Sequence, residues 1–136
     1  MKKILFFAVI LVAAGGLAAG GYLLFGSKRA QVTSHSQPMA EMDLGSKVIN
    51  LADTGYLRFD LVLEYPAGNK ALGDELKSKQ AQVTEAVLDV LRSKTEGQVL
   101  PVKDQPMLKS ELLQAINKIL VNGQVKQVYF TDFLVQ

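Results

Sequence analysis

Few side chains in this 136-residue chain have the type and spacing that catalysis demands. There is one histidine, His35, and no cysteine. A Ser-His-Asp relay needs a histidine held between two partners, and His35 lies in a polar, aperiodic stretch that offers no such frame. Soft metal sites made of thiolate and imidazole lack their ligands. Carboxylates are more plentiful. Asp74–Glu75 forms an acid pair, but the pair falls where a helix is expected to begin, and acids there complement the backbone dipole. Asp53 stands in a turn. Asp132 is the odd one, because strand alternation puts it on a face with Val128, Phe130 and Leu134. A buried carboxylate without a partner is costly, so Asp132 is expected to stay wet at the sheet end or to pair with a base such as Arg58 or Lys126. "GSK" at Gly26 lacks the spacing and the preceding strand of a phosphate loop. No catalytic, cofactor-binding or metal-ligating residue is assigned, and the chain reads as a protein that is not an enzyme. The one contact motif is Gly16 with Gly20, a small-xxx-small pair of the kind that lets two helices approach in lipid.

The elements that would carry these residues follow from periodicity. Residues 46–53 read as a short strand ending in a turn at Gly55. "YLRFDLVLEY" alternates, with Leu57, Phe59, Leu61, Leu63 and Tyr65 on one face and Tyr56, Arg58, Asp60, Val62 and Glu64 on the other, a half-buried strand. Pro66 and Gly68 end it. Leu76, Val83, Val87, Val90 and Leu91 recur at helical spacing over 74–94. A second helix is expected over 105–121, with Pro106 in its first turn, Leu108, Leu112, Ile116 and Ile119 as its stripe, and Asn122–Gly123 as its exit. The closing "QVYFTDFLVQ" reads as a strand with Val128, Phe130 and Leu134 on one face and Tyr129, Phe133 and Val135 on the other. Such an apolar segment is expected to be paired inside a sheet and covered on both sides. The resulting order, β-β-α-α-β, is a small α+β domain.

Ahead of that domain, Ile4–Phe25 carries no charge. As a helix it would span roughly 33 Å, the thickness of a hydrocarbon core. Two readings compete, a signal peptide cleaved near Ala18–Ala19 and an uncleaved anchor. The apolar run continues past those alanines to Phe25 before the basic pair Lys28–Arg29, which is long for a signal peptide and favours the anchor. The domains are then a short tail at 1–3, which is cytoplasmic if the C-terminal domain is periplasmic, a transmembrane helix at 4–25, a flexible tether at 26–42 and an α+β domain at 43–136. Residues 1–29 hold four of the 15 basic side chains and none of the 13 acidic ones. The remainder is therefore slightly acidic, with no electrostatic reason to seek nucleic acid. Two basic residues flank each side of the span, so charge leaves the orientation open.

Several stretches, in order, go further: "VINLAD" before a turn, "YLRFDLVLEY", "RSKT", "LKSELLQAINKIL" and the terminal "VYFTDFLVQ". Together they resemble the flagellar basal body-associated FliL family, over the anchor and nearly all of the domain. The resemblance implies a single-pass inner-membrane protein at the flagellar basal body, with its C-terminal domain in the periplasm and similar in fold to the stomatin/prohibitin (SPFH) type. It implies a homo-oligomeric ring and association with the stator proteins MotA and MotB, supporting flagellar rotation, swarming and chemotaxis. It implies no cofactor and no small-molecule substrate. The alternatives are a general stomatin-like membrane scaffold and a membrane-tethered periplasmic binding or chaperone module.

Overall fold

The computed structural model describes residues 36–136. The long strand β3 (Tyr56–Pro66) is the axis of the fold. Its odd-numbered side chains Leu57, Phe59, Leu61 and Leu63 have no solvent exposure, as strict alternation requires of a strand covered on one face. One edge of β3 pairs antiparallel with β4 (Gln127–Val135) along residues 57–64. The other edge is shared by two short strands, β1 (Met39–Asp43) against residues 62–66 and β2 (Lys47–Asn50) against 56–59. β1 and β2 are one line of strand interrupted at 44–46. The interruption turns at Gly45, whose φ of 72° lies in the left-handed region that glycine enters freely. Asp43 Oδ1 accepts from the Gly45 N–H at 2.6 Å, and Lys47 Nζ donates to the Leu44 carbonyl at 2.6 Å.

Between β3 and β4 the chain makes α1 (Lys70–Ser78), α2 (Gln80–Arg92), a single turn α3 (Glu96–Val99), a 3-10 turn (Val102–Asp104) and α4 (Gln105–Asn117). Each long helix buries a stripe four residues apart: Leu72 and Leu76, then Val83, Val87 and Leu91, then Leu108, Leu112 and Ile116. These stripes and the inner face of β3 form one apolar core. Asn69 caps α1 by accepting from the Leu72 N–H at 3.0 Å, and Thr95 with Gln98 forms a capping box on α3. The C-terminal strand is fastened to its last residue, because Gln136 and Tyr56 exchange both backbone hydrogen bonds at 2.8 and 2.9 Å.

The class is α+β, but the expected order β-β-α-α-β of an SPFH/stomatin-like domain is overturned. Among the described residues three strands precede the helices and one follows. β1 falls inside the stretch read as tether, where "MAEMD" offers only Ala40 and Met42 to the core face and so reads as polar. The helix expected over 74–94 is two helices. Its apolar spacing runs unbroken through Lys79, which has φ −101° and ψ 16° and closes α1 before α2 starts. The second helix stops at Asn117 rather than 121. Among the described residues no helix is long and apolar enough to cross a membrane. The span expected at 4–25, with Gly16 and Gly20, and His35 all lie outside the described residues.

β4 brings another correction. The register against β3 slips between Leu61↔Phe130 and Asp60↔Asp132, leaving Thr131 as an unpaired bulge residue. Beyond it the faces exchange. Val128 and Phe130 point to the core, and so do Phe133 and Val135, while Leu134 is 39% exposed on the other side. The expectation of a strand covered on both faces therefore fails. Helices cover one face of the sheet, and among the described residues nothing covers the other.

Candidate interaction face

The uncovered face is assembled by register. Opposed residues of antiparallel strands share a face, so Glu41 lies beside Glu64 and Gln127, Val62 beside Asp43 and Tyr129, and Asp60 beside Asp132. Arg58 pairs with Val48 on one side and Leu134 on the other. Two zones result. At the end where β3 begins, Val48 and Tyr56 are 67% and 53% exposed and join Arg58, Leu134 and Gln136 around a shallow groove. Toward the middle and far end the side chains are mostly acids.

Asp132 takes the second of its two expected environments. Arg58 Nε donates to its Oδ2 at 2.9 Å. Both side chains are about half exposed, so the ion pair contributes about 0–1 kcal/mol. Asp60, directly across from Asp132, is less well served. Its Oδ1 is buried and has no hydrogen-bond partner among the described residues. Partial burial first, and then the neighbouring Asp43 carboxyl, push its pKa above the ordinary value. At the far end Tyr129 donates to Glu64 Oε1 at 3.3 Å, with Lys109 Nζ 6.0 Å from the ring centre. Burial and the Glu64 charge raise the Tyr129 hydroxyl's pKa.

On the helical side, Glu75 is a hub that periodicity does not reveal. It lies inside α1 rather than in a first turn, and it is 6% exposed. Its carboxylate accepts from Lys79 Nζ at 2.7 Å, from the Val121 N–H at 2.9 Å and from the Asn122 N–H at 2.8 Å. Lys79 also donates to the Ile119 carbonyl at 2.9 Å, and Asn69 Nδ2 donates to the Asn122 carbonyl at 2.8 Å. The Lys79 bond and the backbone donors hold Glu75 down at a pKa of about 2. The work of this constellation is to fasten the loop before β4 onto α1. Gly123 completes the joint, because at φ 154° a Cβ there would sit 2.7 Å from Asn69 Nδ2.

Neither group resembles a reaction centre. Asp53 binds the Gly55 and Glu96 N–H groups at 3.3 and 2.9 Å, a turn acid as expected. Asp74 makes only an exposed 3.6 Å pair with Lys70. Among the described residues no group of three or more His, Cys, Asp or Glu could hold a metal ion. A half-open cleft of about 220 Å³, lined by Lys94, Gly97, Gln98, Asp104, Met107, Leu108 and Glu111, falls below the usual range for small-molecule sites. It is bordered by the Lys94–Glu111 ion pair. Two larger depressions, of about 370 Å³ along Gln105, Lys109 and Leu113 and about 560 Å³ over Asp74, Lys79 and Asn122, are wider open to solvent and so are not deep apolar pockets of the kind a binding or chaperone module would need.

Comparison with known proteins bears on this architecture. The family model described as flagellar basal body-associated protein FliL matches residues 42–136, which takes in β2, β3, every helix and β4. The chain belongs to the FliL family. It is 35% identical over 92 residues to the flagellar protein FliL of Aquifex aeolicus (strain VF5), covering 65% of this chain and 56% of that relative. It is 28% identical over 126 residues to the flagellar protein FliL of Bacillus subtilis (strain 168), covering 90% of this chain and 89% of that one. The chain thus spans little more than half of the first FliL relative and most of the second. FliL membership makes it a flagellar basal body-associated protein. The sequence resemblance drawn from "YLRFDLVLEY" to "VYFTDFLVQ" is borne out, and both stretches are the paired strands β3 and β4.

Proposed function

We infer that this FliL protein is a non-enzymatic partner of the flagellar stator. In this reading residues 4–25 anchor it in the inner membrane, the domain lies in the periplasm, and copies assemble into a ring that surrounds or supports the MotA/MotB units. Holding the stator in place keeps ion-driven torque generation working under load, which swarming demands. The observation that carries the reading is the family match over 42–136. Two others support it. Ile4–Phe25 is an uncharged run of a length that suits a bilayer. The domain also devotes its polar side chains to turns, caps and a fastening joint, with one sheet face left over for contact.

Anchoring confines the domain near its neighbours and raises their effective concentration, so individually weak contacts are enough to close an assembly. The experiment is a clean chromosomal deletion scored for motility in liquid and on a viscous surface, together with co-purification of MotA and MotB by the full chain. Loss of swarming with stator proteins retained on the full chain is expected. Unchanged motility on both media, or co-purification with other membrane complexes and no stator protein, overturns the reading.

A further inference from the structure

On the open face of the sheet, outward-pointing charges are lopsided. Glu41, Asp43, Asp60, Glu64 and Asp132 project there, against Arg58 as the base those strands direct outward and Lys109, which reaches the Tyr129 ring from α4. Asp60 stands opposite Asp132, and Asp43, opposite Val62, is its diagonal neighbour, so the three carboxylates form an oblique row across all three strand lines of the sheet. Arg58 is spent on Asp132, and Lys47 is turned onto the backbone carbonyls of Leu44 and Gly45. The middle carboxylate is left with a buried oxygen that no donor meets among the described residues. Beside the acids, Val48, Tyr56 and Leu134 expose apolar surface around a groove at the sheet end. Exposed apolar side chains gathered on one face mark contact surfaces.

We propose that this open sheet face docks a basic segment of a partner protein, its arginine or lysine groups meeting the Asp43–Asp60–Asp132 row and its apolar side chain filling the Val48–Tyr56–Leu134 groove. Charge complementarity selects this occupant. A second copy of the same face would set carboxylates against carboxylates, and like charges brought together across an interface are strongly disfavoured. An anionic lipid surface is disfavoured for the same reason. An arriving guanidinium or ammonium would meet the exposed Asp43 and half-exposed Asp132 carboxylates that flank Asp60, and the open acids would speed the encounter. The proposal rests on the accessory reading only in requiring that the protein have a protein partner, and it names that partner's chemistry rather than its identity.

The test uses residues 36–136, a compact unit with its own core. The labelled domain is titrated by NMR with a synthetic peptide whose one half is arginine and other half valine and leucine, and with a control carrying glutamate for arginine. Saturable shifts confined to 41–43, 48, 56–64 and 129–134 are expected from the first peptide and none from the second, with affinity falling as salt rises. Asp43→Asn with Asp60→Asn is expected to weaken binding roughly tenfold without lowering the unfolding midpoint. Shifts on the helical side, equal binding of both peptides, or self-association of the domain through this face at millimolar concentration overturns the proposal. A motility phenotype cannot stand in for this result. A stator-independent phenotype would remove the functional reading and leave the docking face untouched, while a silent titration would do the reverse.

Discussion

Within a single strand, β3, Leu57, Phe59, Leu61 and Leu63 are wholly buried, and between them Tyr56 and Arg58 stand exposed while Asp60 and Glu64 are partly so. The inner row has helices against it and the outer row has none. The two rows share one backbone and one set of hydrogen bonds, so their difference is in what each would cost to change. Inner residues carry apolar area taken out of water, about 25 cal/mol per Å². Outer residues carry charge and shape that add little to folding. In a basal body-associated protein, that separation keeps the contact surface independent of stability.

The contrast is most directly broken at Phe59. Phe59→Ala should destabilise the domain by about 3–5 kcal/mol through lost burial and the cavity left behind. Its chemical-denaturation midpoint, compared with wild type, is the measurement. Next in size is the Glu75 joint. Its carboxyl has a pKa of about 2 in the fold against an ordinary 4.5. A group depressed on folding stabilises fully above its unfolded value, and that contribution drains away as pH falls toward the folded one. Stability followed from pH 6 downward should therefore drop between about 4.5 and about 2 in the wild type. Glu75→Gln should be less stable at neutral pH and nearly flat through that window.

Asp60 has the opposite sign. Its pKa is raised on folding by burial and by Asp43, so the fold favours its protonated form and loses that preference as pH rises through the folded value. Asp60→Asn, whose amide is able to donate to Asp43, should raise the thermal midpoint slightly at neutral pH and leave it unchanged in acid. A fall at neutral pH would mean that the open face does contribute to folding. Smallest of all should be Val48→Asp, where a 67% exposed side chain is replaced. Its unfolding free energy, from chemical denaturation, should stay within about 0.5 kcal/mol of wild type.

The inner face was the legible part of this molecule, because apolar residues repeating by two or by four leave a mark in sequence. β3 and the stripe Leu108, Leu112, Ile116 were readable on that ground alone. What escaped was set by single positions. Lys79, at φ −101° and ψ 16°, interrupts a helix whose apolar spacing continues across it, and its ammonium meets Glu75 and the Ile119 carbonyl. β1 is short and offers the core only Ala40 and Met42. Arg58 with Asp132 could be foreseen as a pair because both fall on the two longest apolar strand segments, which neighbour in the sheet. Asp60 and Glu75 could not, since their surroundings come from the β1 line and from a loop 46 residues away in the chain. The acidic face itself emerges only when three strand registers are laid side by side.

Thr131 has one more consequence. Because it stands outside the pairing, β4 follows one alternation before it and the opposite one after it. What that position encodes is therefore a count rather than a chemistry. Many side chains would serve there, and deleting the residue would join Phe130 to Asp132 in a regular ladder with Phe133 and Val135 still on the core face, whereas drawing Thr131 into the pairing would turn Phe133 and Val135 out into water and bring Asp132 and Leu134 inward. Tolerance of substitution and of deletion at 131, together with intolerance of any shift that pairs it, is the mark this bulge should leave on the last strand.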